Sequence, residues 1–281
     1  MKRKHISPSW EVSEALWQRV EPLIPAPQRD QNREYVRKPG AGRKPLPPRQ
    51  VFAGIVYVLR TGIQWKALPT DLFGSPSALH RHFLRWQAAG FFERLWRAGL
   101  LAYDETSCIA WKWQSIDGTL SKAPLAREAV GPNPTDRGKK WKQAEPAGGW
   151  SRHPLVAGRQ RRRNAGCLAG GGDVGQADRS ASEGVCLPPQ YLSGEKGYTG
   201  EAAWKAAQRE GYTPALQQRG ATTDRIPEPA ARRRRWMVER CHRWLNLFRK
   251  LTIRYETLKR SYEGLLQLAC ALICWRQTIP I

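Results

Sequence analysis

The sequence predicts an α/β fold in two parts: an all-α region over residues 1–105, then a mixed-sheet region over 106–281. Three observations predict it. Apolar residues recur at helical spacing through the first hundred positions, the pattern changes to strict alternation at Ile109, and helical spacing returns from about residue 232 to the end.

In the first part, Val12, Leu16, Val20, Leu23 and Ile24 sit at helical spacing and Pro22 and Pro25 mark the stop, which predicts a short amphipathic helix over residues 11–24. The basic, proline-rich stretch from Ala26 to Pro48 reads as a connector. From Pro48, apolar residues at 51, 52, 55, 56 and 59 with a stop at Gly62 predict a buried helix. Ser75 and Pro76 open the next helix, SPSALHRHFLRW, which turns Leu79, Phe83 and Trp86 inward and leaves His80, Arg81 and Arg85 on the other side. Gly90 ends it and FFERLWRAGL begins another. Short helices with tight turns, one presenting His and Arg outward, fit a helix-turn-helix-like DNA-binding module; a plain helical bundle fits the same periodicity.

In the second part, IAWKWQSI places Ile109, Trp111 and Trp113 on one face and Lys112 and Gln114 on the other, a strand expected to end at Asp117-Gly118-Thr119. A carboxylate at a strand end, before a turn glycine, is a usual place for a metal ligand in an α/β core. YLSGEKGYTG at 191–200 predicts a strand running into a glycine-rich turn. RRRRWMVERCHRWLNLFRKLTIRYE at 232–256 predicts a long helical region, and GLLQLACALICW at 264–275 a buried closing helix.

Charge narrows the function. Lys and Arg number 47 against 24 Asp and Glu, a formal net charge of +23, which points to a polyanionic partner. The six cysteines form no CxxC pair and Cys270 and Cys274 lie one helical turn apart in an apolar run, so they read as buried thiols, neither a zinc site nor a disulfide framework. The N-terminus MKRKHISPSW has no apolar signal core and no stretch approaches the roughly 20 apolar residues of a membrane span. The expectation is a cytoplasmic protein without a membrane partner.

Three acidic residues stand in unlike contexts: Asp117 at a strand end, Glu195 at a second strand end and Glu239 on a helix. Cutting DNA needs such a trio, because two hard divalent cations about 4 Å apart must be held by oxygen ligands. Arg235 precedes Glu239 by four residues, one helical turn on the same face, where it can orient the carboxylate or meet a phosphate. Arg240, Arg243 and Arg249 supply further phosphate contacts, and Trp236 and Trp244 either pack in the core, the preferred role, or stack on an unpaired base.

On these motifs the chain resembles insertion-sequence transposases of the IS-five group, within the DDE class. The resemblance rests on QVFAGIVYVLRTGIQWKALPTDLFGSPSALHRHFLRWQAAGFFERLW at 50–96, SIDGTLSKAPLAREAVGPNPTDRGKK at 115–140, GEKGYTG and RWMVERCHRWLNLFRKLTIRYE, in that order. It implies a ribonuclease-H-like core, a mixed sheet flanked by helices, behind the helical DNA-binding part. It implies Asp117 as the first catalytic acid and Glu239 as the third, with Arg235 in the signature before it, and two Mg²⁺ as cofactors. It also implies double-stranded DNA as partner, both transposon ends and target, and multimers that synapse two ends. The rival expectations are a catalytically dead DNA-binding remnant and a basic RNA-binding or structural protein.

The sequence departs from that pattern twice. Glu195 stands where such transposases ordinarily carry the second catalytic aspartate, and Mg²⁺ tolerates displaced ligands poorly. The 49 residues at 141–189 hold nine Gly, six Leu or Val and no Ile, Phe, Tyr or Met, so the segment is expected to be disordered and the central strands of the sheet disrupted. Related transposases carry there a stretch like GSKRSLLVDGRGIPL. Read from the middle base of each codon, Trp141 and Trp150 both become Gly, where that stretch has Gly, and Gln143, Lys142, Glu145 and His153 permit the neighbouring residues. The hypothesis is a frameshift near Lys140 compensated before about Tyr191; a genuine Gly-rich insertion is the alternative. Sequencing the gene tests it: the middle-base frame is expected to encode a strand-like SLLVDG, and stop codons there refute the frameshift.

Overall fold

The computed structural model describes residues 10–26, 44–107, 109–128, 149–160, 165–169, 190–194, 201–209, 211–216 and 236–279. Helix α1 (Glu14–Val20) starts at Ser13, whose hydroxyl accepts from the Leu16 amide at 3.2 Å, and passes at Pro22 into a single 3-10 turn. Helix α2 (Pro48–Thr61) begins on proline and stops at Gly62, whose φ of 75° is a left-handed cap that an L side chain rarely adopts. Arg49 ties α2 back to α1 through Glu14 at 2.6 Å. After a short 3-10 turn at Trp65–Ala67 come α3 (Thr70–Phe73), α4 (Pro76–Ala88) and α5 (Phe91–Ser107). Leu79, Phe83 and Trp86 of α4 are buried as their spacing predicts, and Phe83 and Trp86 meet Phe92 and Phe91 of α5 at ring-centroid distances of 5.3 and 5.0 Å.

The sheet has five strands in the order β3-β2-β1-β4-β5. They are β1 (Ile109–Ala123), β2 (Gly149–Gln160), β3 (Ala165–Ala169), β4 (Gln190–Gly194) and β5 (Tyr212–Leu216). β1–β2 and β2–β3 are antiparallel, whereas β1–β4 and β4–β5 are parallel. A parallel neighbour needs a crossover, and α6 (Glu201–Arg209) supplies it between β4 and β5. Gln114, which alternation put on the polar face of its strand, is buried in the sheet: it donates to Gln190 at 2.9 Å and accepts from the Tyr212 hydroxyl at 3.3 Å. One side chain thereby ties β1, β4 and β5 together.

Two expectations are corrected here. Residues 149–160 and 165–169 do form strands, one inside the sheet and one at its edge, despite the composition of 141–189. Ladder hydrogen bonds run between backbones, and the short apolar runs Leu155–Val156–Ala157 and Cys167–Leu168–Ala169 pair with one another in register. The remainder of 141–189 lies outside the described residues. Second, β1 does not end at Asp117 but runs on to Ala123, because β2 pairs with it past that point, Asp117 opposite Leu155 and Gly118 opposite Pro154.

The long helix expected over 232–256 is broken. Its described part is α7 (Trp236–Leu245), a turn at 246–248 and α8 (Arg249–Thr252), after which Ile253 bridges in parallel to Lys122 at the end of β1. The closing helix α9 (Lys259–Thr278) is buried along most of its length, and Glu128 accepts from the Lys259 amide at its start. Apolar on nearly every face, α9 needs partners on several sides. It finds them in α4 and α5, where a Cβ on Gly264 would meet Gln87 and, at 3.3 Å, Phe92. One hydrophobic core therefore joins residues from Val12 to Leu95 with residues from Cys241 to Trp275, and the boundary expected at 105 is not a break between two cores. Cys270 and Cys274 are buried free thiols, as their spacing predicts, and burial pushes the Cys274 thiol up to about 12. No described helix is long and apolar enough to cross a membrane.

Candidate functional site

The three acids predicted from sequence are placed unequally. Asp117 lies within β1 at the level where its parallel partner stops: Ile116 is opposite Gly194, the last residue of β4. Its end position is thus real on the β4 side of the strand and absent on the β2 side. Glu195 lies outside the described residues, one peptide beyond Gly194. Glu239 is exposed in the first turn of α7, and α7 packs across β1, β2 and β3. Arg235 lies outside the described residues.

The fold therefore brings the strand that carries Asp117 and the helix that carries Glu239 into contact. The donor chemistry fits Mg²⁺, which takes carboxylate oxygens. Among the described residues no group of three or more His, Cys, Asp or Glu gathers to hold a metal. That set contains neither Glu195 nor the side chain of Asp117.

On α4, Arg81 and Arg85 are exposed, as the helical pattern predicts, and Arg85 lies 2.8 Å from Nδ1 of His82. His80 is placed less openly. It is half-buried, its ring 4.8 Å from that of Trp65 and 6.2 Å from that of Phe83, because the turn at 65–67 folds back over this side of α4. Burial lowers its pKa below the ordinary imidazole value; Glu256 pulls the other way and Lys250 adds to the lowering. A depressed folded pKa makes a stability contribution that is present above the unfolded value of about 6.5 and lost as pH falls through the folded one. Urea midpoints are therefore expected to drop below about pH 6.5, and His80→Phe is expected to flatten that drop; an unchanged profile refutes the assignment to His80. His82 is lowered as well, by burial first and then by Arg85 and Arg81, and remains as a residual.

Of the other cations, Arg243 and Arg249 are exposed, and Arg240 is half-buried with its guanidinium 5.9 Å from the centre of the Trp244 ring. Trp244 packs against the shared core, the role preferred for it. Lys250, Arg254 and Glu256 form a buried charged group that sequence reasoning missed. The three are near neighbours in the chain, but the groups that meet them, Trp65, Ile63 and Lys122, lie far away in sequence and leave no mark in local spacing.

Two family models match the chain. One, described as "Putative transposase of IS4/5 family", covers residues 12–96, the helices through α4 and into α5. The other, "Transposase DDE domain", covers residues 193–276, which include Glu195 and Glu239 but not Asp117. An "uncharacterized 16.2 kDa protein" of insertion element IS402 from Burkholderia cepacia is 31% identical over 124 residues, 44% of this chain and 80% of that protein. The chain belongs to the IS4/5 family of transposases. A further relative in this transposase family, the "Putative transposase for insertion sequence element IS402" of the same organism, is 31% identical over 160 residues, 53% of this chain and 70% of that protein. No solved structure matches the chain.

Proposed function

We propose that this transposase binds the terminal inverted repeats of an insertion sequence and catalyses metal-dependent DNA strand cleavage and transfer, impaired in this copy. The observation that supports the proposal most is the packing of α7, which carries Glu239, against β1, which carries Asp117, while β4 ends at Gly194 one residue before Glu195. The mixed sheet flanked by helices supports a ribonuclease-H-like core. The exposed Arg81 and Arg85 on α4, after the turns around α3, support end recognition by a helix-turn-helix-like module, with phosphate contacts from Arg240, Arg243 and Arg249.

In this mechanism Asp117, Glu195 and Glu239 act as oxygen ligands. Two Mg²⁺ ions, when bound, supply Lewis-acid activation of the attacking oxygen and stabilisation of the leaving one. Arg235 orients Glu239 or meets a phosphate. Water would attack phosphorus and expel the 3′-oxygen of the element's end, and the 3′-hydroxyl so freed would attack a target phosphorus and expel a target 3′-oxygen, with no covalent protein intermediate. Multimers that synapse two ends belong to the same proposal.

The impairment is assigned to Glu195. One methylene too many displaces its carboxylate by about an ångström, and a misplacement of that size costs about 10²-fold in rate. Glu195→Asp is therefore expected to raise nicking of end-containing DNA in Mg²⁺ or Mn²⁺ about 10²-fold, with retention of the DNA unchanged. If Glu195→Asp is as inactive as the parent while both retain end DNA against competitor, the chain is the catalytically dead remnant, which binds without cutting.

A further inference from the structure

A chain of contacts runs through the interior from α4 to the end of β1. The Trp65 ring lies 4.8 Å from His80 and 5.0 Å from Phe83, both on α4. Its indole Nε1 donates to Oε1 of Glu256 at 3.2 Å. The same carboxylate oxygen lies 3.6 Å from Nζ of Lys250, which also donates to the carbonyl of Ile63 at 3.1 Å. The backbone carbonyl of Glu256 accepts from Nε of Arg254 at 3.2 Å, and the Arg254 amide donates to the carbonyl of Lys122 at 2.8 Å. Lys122 pairs with Ile253 in the bridge that ends β1. Glu256 is thus met by the turn at Trp65–Ala67 through its side chain, and is joined to the strand of Asp117 through Arg254, whose Nε donates to its carbonyl and whose amide donates to Lys122.

We propose that Glu256 is a positioning residue that fixes the DNA-reading helix α4 against β1, the strand of Asp117; the two roles it joins rest on the function proposed above. Apolar side chains of the same volume would fill this space but hold no direction, whereas a carboxylate that accepts from an indole N–H and pairs with an ammonium fixes both partners in angle. Lys250 is only 4% exposed, so the pair sits where a lost partner is felt strongly. α4 and β1 then move as one body, and DNA seated on α4 is held in a set relation to the strand of Asp117.

Trp65→Phe tests this in the full chain, because it keeps the aromatic contact with His80 and Phe83 and removes the N–H. Amide exchange at Arg254, whose N–H reports the bond to Lys122, is expected to speed up about tenfold or more, the scale of one buried hydrogen bond lost. A merely local role for Trp65 leaves that distant amide within about twofold of the parent, and overturns the proposal. If Trp65→Phe folds poorly, Glu256→Gln replaces it, which keeps an acceptor for the indole but removes the charge that pairs with Lys250, with the same expectation and the same refuting result. A second arm adds end-containing duplex DNA. In the parent, DNA is expected to protect α4 and also the Arg254 amide; in the variant, α4 alone. Protection of α4 without any at Arg254 in the parent overturns the positioning role alone. An unprotected α4 overturns the DNA reading and with it the role assigned to Glu256, whatever the DNA-free exchange shows.

Discussion

Asp117→Ala is expected to abolish nicking of end-containing DNA while leaving its retention essentially unchanged. The two effects separate because the functions are carried by different elements. Asp117 lies in β1 at the level where β4 ends, whereas the exposed Arg81 and Arg85 lie on α4, on the other side of the Trp65 and Glu256 contacts. On the function proposed above, loss of this carboxylate removes an oxygen ligand from the metal site, and hard cations depend on ligand number and placement. Retention depends mainly on cations neutralising phosphates and falls steeply with salt, so parent and variant must be compared at one ionic strength. Filter retention with competitor DNA and a supercoiled-plasmid nicking assay read the two quantities. Loss of retention with unchanged nicking reverses the assignment of roles.

Glu256→Ala is expected to destabilise the fold by about 3–5 kcal/mol, the cost of leaving one member of a buried pair without its partner. Lys250 would keep the Ile63 carbonyl but lose its counter-charge, and the Trp65 indole would lose its acceptor. The surface pair Arg97–Glu93 makes the useful contrast. It is shorter, 2.7 Å against 3.6 Å, yet its side chains are 48% and 43% exposed. Water and salt screen it, so Glu93→Ala is expected to cost less than about 1 kcal/mol. Urea unfolding at pH 7.5 measures both as midpoint shifts at constant slope. Equal costs for the two alanine variants would show that burial does not set the strength of the Glu256 contacts.

The helical half of the fold was legible because its signals are local. Gly62 stops α2, Pro76 opens α4, and Leu79, Phe83 and Trp86 repeat at the spacing of one buried face. The sheet was legible only where alternation was strong, at β1 and β4. β2 and β3 went unseen because their composition is poor in β-branched and aromatic residues, while the pairing that makes them strands is supplied by β1 from outside the segment. α6 and β5 carried no motif that drew notice. The end of the helical region at Thr252 is likewise a tertiary effect, since Ile253 leaves the helix to bridge with Lys122; the earlier break at 246–248 is not explained by that bridge. Of the site, a strand at Asp117 and a helix at Glu239 were readable, whereas the continuation of β1 past Asp117 and the partial burial of His80 were not, since they depend on β2 and on a turn that begins fifteen residues earlier at Trp65.

On the function proposed above, the chain segments at 117, 195 and 239 share one metal site. Iron-mediated backbone cleavage tests it without requiring catalysis. Fe²⁺ is exchanged for Mg²⁺ and hydroxyl radicals generated with ascorbate and peroxide cut the chain close to the bound ion. The account predicts cuts clustered in β1 near Asp117, just beyond Gly194 and in the first turn of α7 near Glu239, all suppressed by excess Mg²⁺. Cuts near Asp117 with none near Glu239, or cuts that Mg²⁺ does not suppress, contradict it.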